Sequence, residues 1–166
     1  MKPKSKISKK SSLLKILTLP RLILARRRWA KEGRAVVFTN GVFDILHAGH
    51  MELLEKAASL GDALIVGVNS DASARRLHKG PGRPIQPLKD RARILAGLAC
   101  VDAVIPFGED TPERLLSFIK PEVLVKGADY RPGQVAGRRH AGRVALLPLK
   151  LGRSTTAIIE RIRTRS

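Results

Sequence analysis

Two histidines three positions apart, His47 and His50, close the stretch Thr39-Asn40-Gly41-Val42-Phe43-Asp44-Ile45-Leu46-His47-Ala48-Gly49-His50. A short β-branched, apolar run (35–39) precedes the stretch and ends at the turn signal Asn40-Gly41. Helical spacing follows over 48–60, with Met51, Leu54 and Ala58 on one face. The histidines therefore sit where a strand passes into a helix. The first turn of a helix has unpaired N–H groups and the positive end of the peptide dipoles. Imidazoles beside it can donate to phosphate oxygens, and Gly49 lets a phosphate come close to the backbone. The local chemistry is that of a phosphate site. Helix capping alone is the plainer alternative for an isolated pair, and a metal site would need a third ligand that the spacing does not supply.

A second helix start repeats the theme. Arg153-Ser154-Thr155-Thr156 follows Gly152. The hydroxyls make a good N-cap, which alone would explain them. They also make a second anion site, and two such sites in one domain suit a triphosphate. Other polar residues fall at element ends. Lys126 closes a buried strand, where phosphate is a natural partner, although a lysine can also snorkel over a sheet edge. Asn69 and Asp71 close the second strand, and Asp71 is equally suited to cap the next helix. Asp129 has similar standing. Asp44 is an indirect partner of the phosphates or a cap of its turn. Arg91 follows Asp90 at a helix start, where a surface ion pair is the plain reading.

These residues need a scaffold. Strands are expected at 35–39, 63–68, 103–107, 122–125 and 144–149, and helices at 20–32, 48–60, 88–98, 112–119 and 154–163, with a polar, basic loop through Pro87. Near-continuous apolar strands alternating with helices predict a parallel sheet covered on both faces. Ligands in such sheets sit at the carboxyl ends of the strands near the topological switch point.

The chain has 166 residues, 43% hydrophobic and 28% charged, enough for one domain with a real core. A tail over 1–14 and a domain over 15–166 are expected. The single cysteine, Cys100, excludes an intrachain disulfide framework and agrees with a reducing compartment. No apolar run reaches the ~18 residues of a spanning helix. Of the formal charge of +18, residues 1–34 hold 12 of the 32 basic side chains and one of the 14 acidic ones. That basic arm reads first as a solubilising tail, with nucleic acid or anionic lipid as alternative partners. No aromatic falls in residues 1–28, which argues against base stacking. Lys15, Pro20 and Arg21 interrupt the only apolar stretch near the start, so a secretory signal is disfavoured, and a transit peptide is a weaker alternative.

The stretch TNGVFDILHAGH together with STTAIIERI resembles the cytidylyltransferase-like nucleotidyltransferases. Within them, VNSDASARRL, GPGRP, DTPERL and LVKGADY are similar to the adenylyltransferases of ADP-heptose biosynthesis, over about Lys15 to Arg163. The resemblance implies a Rossmann-like, doubly wound sheet of about five parallel strands. It implies transfer of AMP from ATP to D-glycero-β-D-manno-heptose 1-phosphate, with magnesium, in a cytoplasmic homodimer supplied by a separate sugar kinase. It assigns catalysis to His47, His50 and Lys126. Thr39, Asn40, Gly41, Phe43, Gly49, Arg91, Gly127, Ser154, Thr155 and Thr156 would hold the nucleotide. Asp44, Asn69, Asp71, Lys79, Arg83 and Asp129 would hold the acceptor. Ala58 and Ala157 depart from relatives that carry polar or basic side chains there, which shifts the phosphate clamp toward Lys79, Arg83, Arg91 or Lys126. The competing readings are a cytidylyltransferase for glycerol 3-phosphate or another alcohol phosphate, a nucleic-acid-binding module led by the arm, and a domain that binds nucleotide without turnover.

Overall fold

The apolar runs close into one sheet. The computed structural model describes residues 11–78, 80–127, 132–148 and 154–164. Lys79, Asp129 and the first ten residues of the expected tail lie outside the described residues. Strands β1 (Val36–Gly41), β2 (Ala63–Asn69), β3 (Ala103–Phe107), β4 (Val123–Gly127) and β5 (Arg143–Leu147) lie in the order β3-β2-β1-β4-β5, all parallel. The chain winds outward from β1 in both directions, so the switch point falls between β1 and β4. The helices are α1 (Leu19–Lys31), α2 (Ala48–Ala58), α3 (Asp71–Arg76), α4 (Leu88–Gly97), α5 (Glu113–Ile119) and α6 (Thr155–Arg163).

Side-chain alternation along β1 divides the core in two. Val36 and Phe38 face Leu22, Trp29, Leu116 and Ile119 of α1 and α5. Val37 faces Leu54, Ala57 and Leu95 of α2 and α4. Every residue of β2 is buried, as a strand covered on both faces requires. The sheet therefore has helices on each side, as the resemblance implied.

Three local readings are corrected. Asn40 and Gly41 are not a turn but the last residues of β1, paired in register with Gly67 and Val68. Their turn-forming tendency yields to the ladder bonds with β2. The loop after β2 contains α3, a helix too short to show periodicity. Its N-cap is Ser70, whose hydroxyl accepts from Ser73 N at 3.2 Å, not Asp71. Finally, α1 belongs to the core: Leu22 and Trp29 are buried, and Arg26 donates to the Ile119 carbonyl (3.0 Å) and to Glu122 (2.5 Å). Just before it, Leu17 N donates to Val104 O at 2.9 Å, so the chain runs beside β3 and covers that edge of the sheet.

The two ends of the sheet have opposite chemistry. At the amino ends, carboxylates take N–H groups of the sheet: Glu122 accepts from Val36 N (2.6 Å), Asp102 from Leu64 N (2.8 Å) and Asp62 from Ala35 N (2.8 Å). This end is closed by the chain's own acids. The carboxyl ends hold the histidines, Lys126 and the start of α6. Gly61 serves the closed end. A Cβ there would stand 2.7 Å from the Ala35 carbonyl oxygen and 2.7 Å from Val37 Cγ2. Gly61→Ala is expected to destabilise the fold by about 1–3 kcal/mol through overpacking, read as an earlier denaturant midpoint at unchanged slope.

Candidate active site

The site begins with a strained loop. Phe43 and Ile45 have φ of 50° and 48°, a left-handed conformation that bulky and β-branched residues rarely adopt. Such strain costs on the order of 1–3 kcal/mol per residue and needs surrounding contacts to hold it. Those contacts are present. The Phe43 ring meets the His50 ring edge-on with centroids 5.3 Å apart. Ile45 N donates to Gln86 Oε1 at 3.1 Å. Between them, Asp44 is buried and accepts from Arg83 Nε (2.7 Å), Ile85 N (2.8 Å) and Gln86 N (2.9 Å). Burial pushes the Asp44 carboxyl up, but the Gln86 and Ile85 N–H groups and the Arg83 guanidinium outweigh it and hold the pKa below the ordinary 3.8. Asp44 thus fastens the GPGRP loop to the histidine loop as an ionised carboxylate.

The reversal of the chain at Phe43–Ile45 delivers His47 to the N-cap of α2, where its Nδ1 accepts from Gly49 N at 3.1 Å. An accepting Nδ1 places the proton of the neutral ring on Nε2, leaving that nitrogen as a donor. Burial pushes the His47 pKa below 6.5, which favours the neutral form. The His47 and His50 rings stack with centroids 3.8 Å apart and planes inclined by 23°.

A hydrogen bond ties helix α6 to this loop. Thr155 Oγ1, from a buried side chain, donates to the Asp44 carbonyl at 2.7 Å. Ser154 is the N-cap, its Oγ accepting from Ala157 N at 3.1 Å, and Thr156 is exposed. On the other side of the switch point, Lys126 Nζ donates to Asn40 Oδ1 at 2.5 Å, linking β4 to β1. A cavity of about 120 Å³ opens at this end of the sheet, with Asn40, Gly41, Phe43, Asp44, His50, Arg83 and Thr155 among its walls.

Arg91, Asp71, Asn69, Thr39, Gly127 and Gly49, also singled out in the sequence, do not line this cavity. Arg91 is 1% exposed; its Nη1 donates to Val42 O (2.6 Å), Nε to Gln86 O (2.9 Å) and Nη2 to Asp71 Oδ1 (2.5 Å). Asp71 is thereby engaged by Arg91. Asn69 is buried and donates to Ser73 Oγ at 3.0 Å. Thr39 donates its hydroxyl to Val125 O at 3.2 Å, inside the sheet. Gly127 is buried at the end of β4, and Gly49 lies in the first turn of α2. Gln86 was not singled out by sequence, because its partners Ile45 and Asp44 are far away along the chain. The collected chemistry is a set of donors: two imidazoles, a guanidinium, an ammonium, hydroxyls and two helix starts. Among the described residues that line the cavity the one carboxylate, Asp44, is already paired. Such a site stabilises an anion carrying several charges.

The model of the cytidylyltransferase-like family matches residues 38–161. The chain belongs to the cytidylyltransferase-like family. Its match spans both helix starts, and the chemistry of the chain is nucleotidyl transfer. It is 52% identical over 153 residues to the bifunctional protein HldE of Alkalilimnicola ehrlichii, covering 90% of this chain and 32% of that one. It is 55% identical over 152 residues to HldE of Azotobacter vinelandii, covering 89% and 32%. The chain thus spans about a third of the length of these curated relatives. Among solved structures, a lipopolysaccharide core biosynthesis protein from Thermoplasma volcanium superposes with a TM-score of 0.62 at 27% identity, covering 70% of this chain and 98% of that one. The pantoate-β-alanine ligase of Francisella tularensis shares the fold, with a TM-score of 0.55 at 17% identity over 85% of this chain and 68% of that one.

Proposed function

We propose that this cytidylyltransferase-like domain transfers AMP from ATP to D-glycero-β-D-manno-heptose 1-phosphate, giving ADP-heptose and pyrophosphate. The observation that carries the reading is the Thr155–Asp44 hydrogen bond, which sets the start of α6 against the histidine loop at the sheet's carboxyl end. Two helix starts on one cavity suit a triphosphate. A phosphate oxygen of the acceptor attacks the α-phosphorus in line. The bond from that phosphorus to the bridging oxygen breaks, and pyrophosphate leaves with the electron pair. No protein nucleophile takes part; positioning and charge stabilisation lower the barrier. His47 Nε2–H and His50 donate to the oxygens that gain charge. Lys126, held by Asn40, adds a cation. The hydroxyls of Ser154 and Thr156 and the N–H groups of the first turn of α6 receive the β- and γ-phosphates. Arg91 acts as a positioning residue, since its three nitrogens hold Val42, Gln86 and Asp71.

Among the described residues no cluster of His, Cys, Asp and Glu is arranged to hold a metal ion. With Asp44 already paired, the residues fit a magnesium ion that arrives on the triphosphate and keeps much of its water shell. When bound, that ion neutralises phosphate charge. We assign transfer to residues 15–166, with 1–14 as a tail, and place the protein in the cytoplasm as a homodimer. Its acceptor would come from a sugar kinase, and its product would serve lipopolysaccharide core synthesis, as the name of the Thermoplasma volcanium relative suggests.

The test is pyrophosphate release with magnesium, over ATP, CTP and GTP against both anomers of heptose 1-phosphate and glycerol 3-phosphate. Release confined to ATP and the β-anomer is expected. Release with CTP and glycerol 3-phosphate would replace the acceptor and the base while keeping the chemistry. In the same assay Lys126→Ala is expected to lower kcat by about 10- to 100-fold, the size of losing one charge-assisted contact of about 1.5–3 kcal/mol.

A further inference from the structure

A second cavity, of about 160 Å³, shares Arg83 with the first, and the histidines are absent from its lining. One wall is the loop Gly80-Pro81 and the Arg83 side chain; the other is a stripe of α6 made of Thr156, Ile159, Glu160 and Arg163. Positions 156, 159, 160 and 163 recur at three- and four-residue steps, so they share one face of the helix. Arg83 borders both cavities. Its Nε is held by the buried Asp44 carboxylate, and its side chain is only 9% exposed. The position of the second cavity relative to His50 is therefore set by a fixed guanidinium.

We propose that this groove receives the polyol part of a phosphorylated sugar acceptor, and that Glu160 and Arg163 determine which acceptor is used. The inference rests on the nucleotidyl-transfer reading above. Size agrees with it: at about 160 Å³ the groove is smaller than the ~300–1,000 Å³ of sites for drug-sized ligands, as suits a single ring. Chemistry favours it as well. Pro81 and Ile159 give an apolar wall for the C–H face of a ring. Glu160 offers acceptors and Arg163 donors for hydroxyls. Among the described residues neither of these side chains makes a hydrogen bond or ion pair with the protein, although they stand three apart on one helix. Arg83, at the junction of the two cavities, takes the acceptor's phosphate and aims it at the α-phosphorus.

The experiment uses the full chain and steady-state kinetics of Glu160→Ala, Glu160→Gln and Arg163→Ala, varying heptose 1-phosphate at saturating ATP and then the reverse. Both alanine variants are expected to raise KM for the sugar phosphate at least 10-fold, with KM for ATP within twofold and kcat within threefold of the wild type. Glu160→Gln keeps an acceptor oxygen and is expected to recover part of the loss. All three lie on an exposed helix face, and matching melting curves check the fold. An unchanged acceptor KM in both alanine variants would overturn the inference, and so would a rise in the ATP KM instead, which would put nucleotide in the groove. If the wild type binds ATP yet turns over no sugar phosphate, the reading under Proposed function fails first, and this inference with it.

Discussion

Replacing His50 by alanine is expected to lower kcat by 10²- to 10³-fold with the fold intact, the range for removing one preorganised donor from a developing oxyanion, about 2.7–4 kcal/mol. His50 borders the cavity and is braced on one side by Phe43 and on the other by His47. The imidazole therefore needs no reorganisation when charge develops. His47→Ala should cost a similar factor and weaken the start of α2 too, since it removes the acceptor for Gly49 N. The two rings act as a stacked unit, so the double variant is expected to fall well short of the product of the single losses. Single-turnover rates at saturating ATP measure this directly; kcat of either variant within threefold of the wild type would remove the histidines from the mechanism.

The pH dependence follows from the same geometry. Because burial holds the His47 pKa below 6.5, the neutral ring with its Nε2–H persists through neutral pH. Protonation at Nδ1 would break the Gly49 contact and set a charge against the stacked His50 ring. A group whose pKa is depressed by folding contributes stability that is present above its unfolded value and lost as pH falls through the folded one. Activity is thus expected to hold from pH 8 to below 6.5, because the folded ring stays neutral there, whereas this contribution to stability begins to fall near 6.5, where the unfolded chain takes up the proton. A profile already half-lost at pH 7 would contradict the neutral assignment.

The second large effect is expected at Asp44. Asp44→Ala leaves the Arg83 guanidinium beside an apolar hole and removes the acceptor for Ile85 N and Gln86 N. Breaking a buried ion pair from one side costs about 3–5 kcal/mol. At about 2–4 °C per kcal/mol for a chain of this size, the melting temperature should fall by on the order of 10 °C. Activity should fall further than stability explains, because Asp44 bonds the histidine loop to the GPGRP loop and, through its carbonyl, to Thr155. Asp44→Asn keeps one acceptor oxygen and should be milder. In the double variant with Arg83→Ala, the melting temperature should recover part of the loss, since no unpaired charge remains, while turnover stays low. A melting curve for Asp44→Ala within 2 °C of the wild type would show that the pair does not hold the loop. The Asp44 carboxyl is held below 3.8, so its contribution to stability is present above the ordinary carboxylate range and lost as pH falls through the depressed value.

Several features of this protein follow from its sequence alone. The alternation of apolar strands with amphipathic helices determined a parallel sheet, because a strand buried on both faces reads as a continuous apolar run. Ala103–Phe107 is found at its expected bounds. The two helix-start motifs, H-A-G-H and S-T-T, are local patterns, so residue type and spacing suffice to find them. Helix α3 was not legible, since six residues carry too little periodicity and its cap acts through Ser70. The partners of the polar residues were decided only by tertiary structure. Nothing local distinguishes Arg91, whose guanidinium is enclosed by Val42, Gln86 and Asp71, from Arg83, whose guanidinium borders both cavities. Asp44 reads as a turn cap until the loop near residue 85, some forty positions on, is folded against it. The physical reason is range. Backbone pattern is set by neighbours three or four residues away, whereas a buried charge takes its role from whichever distant group the chain brings within 3 Å.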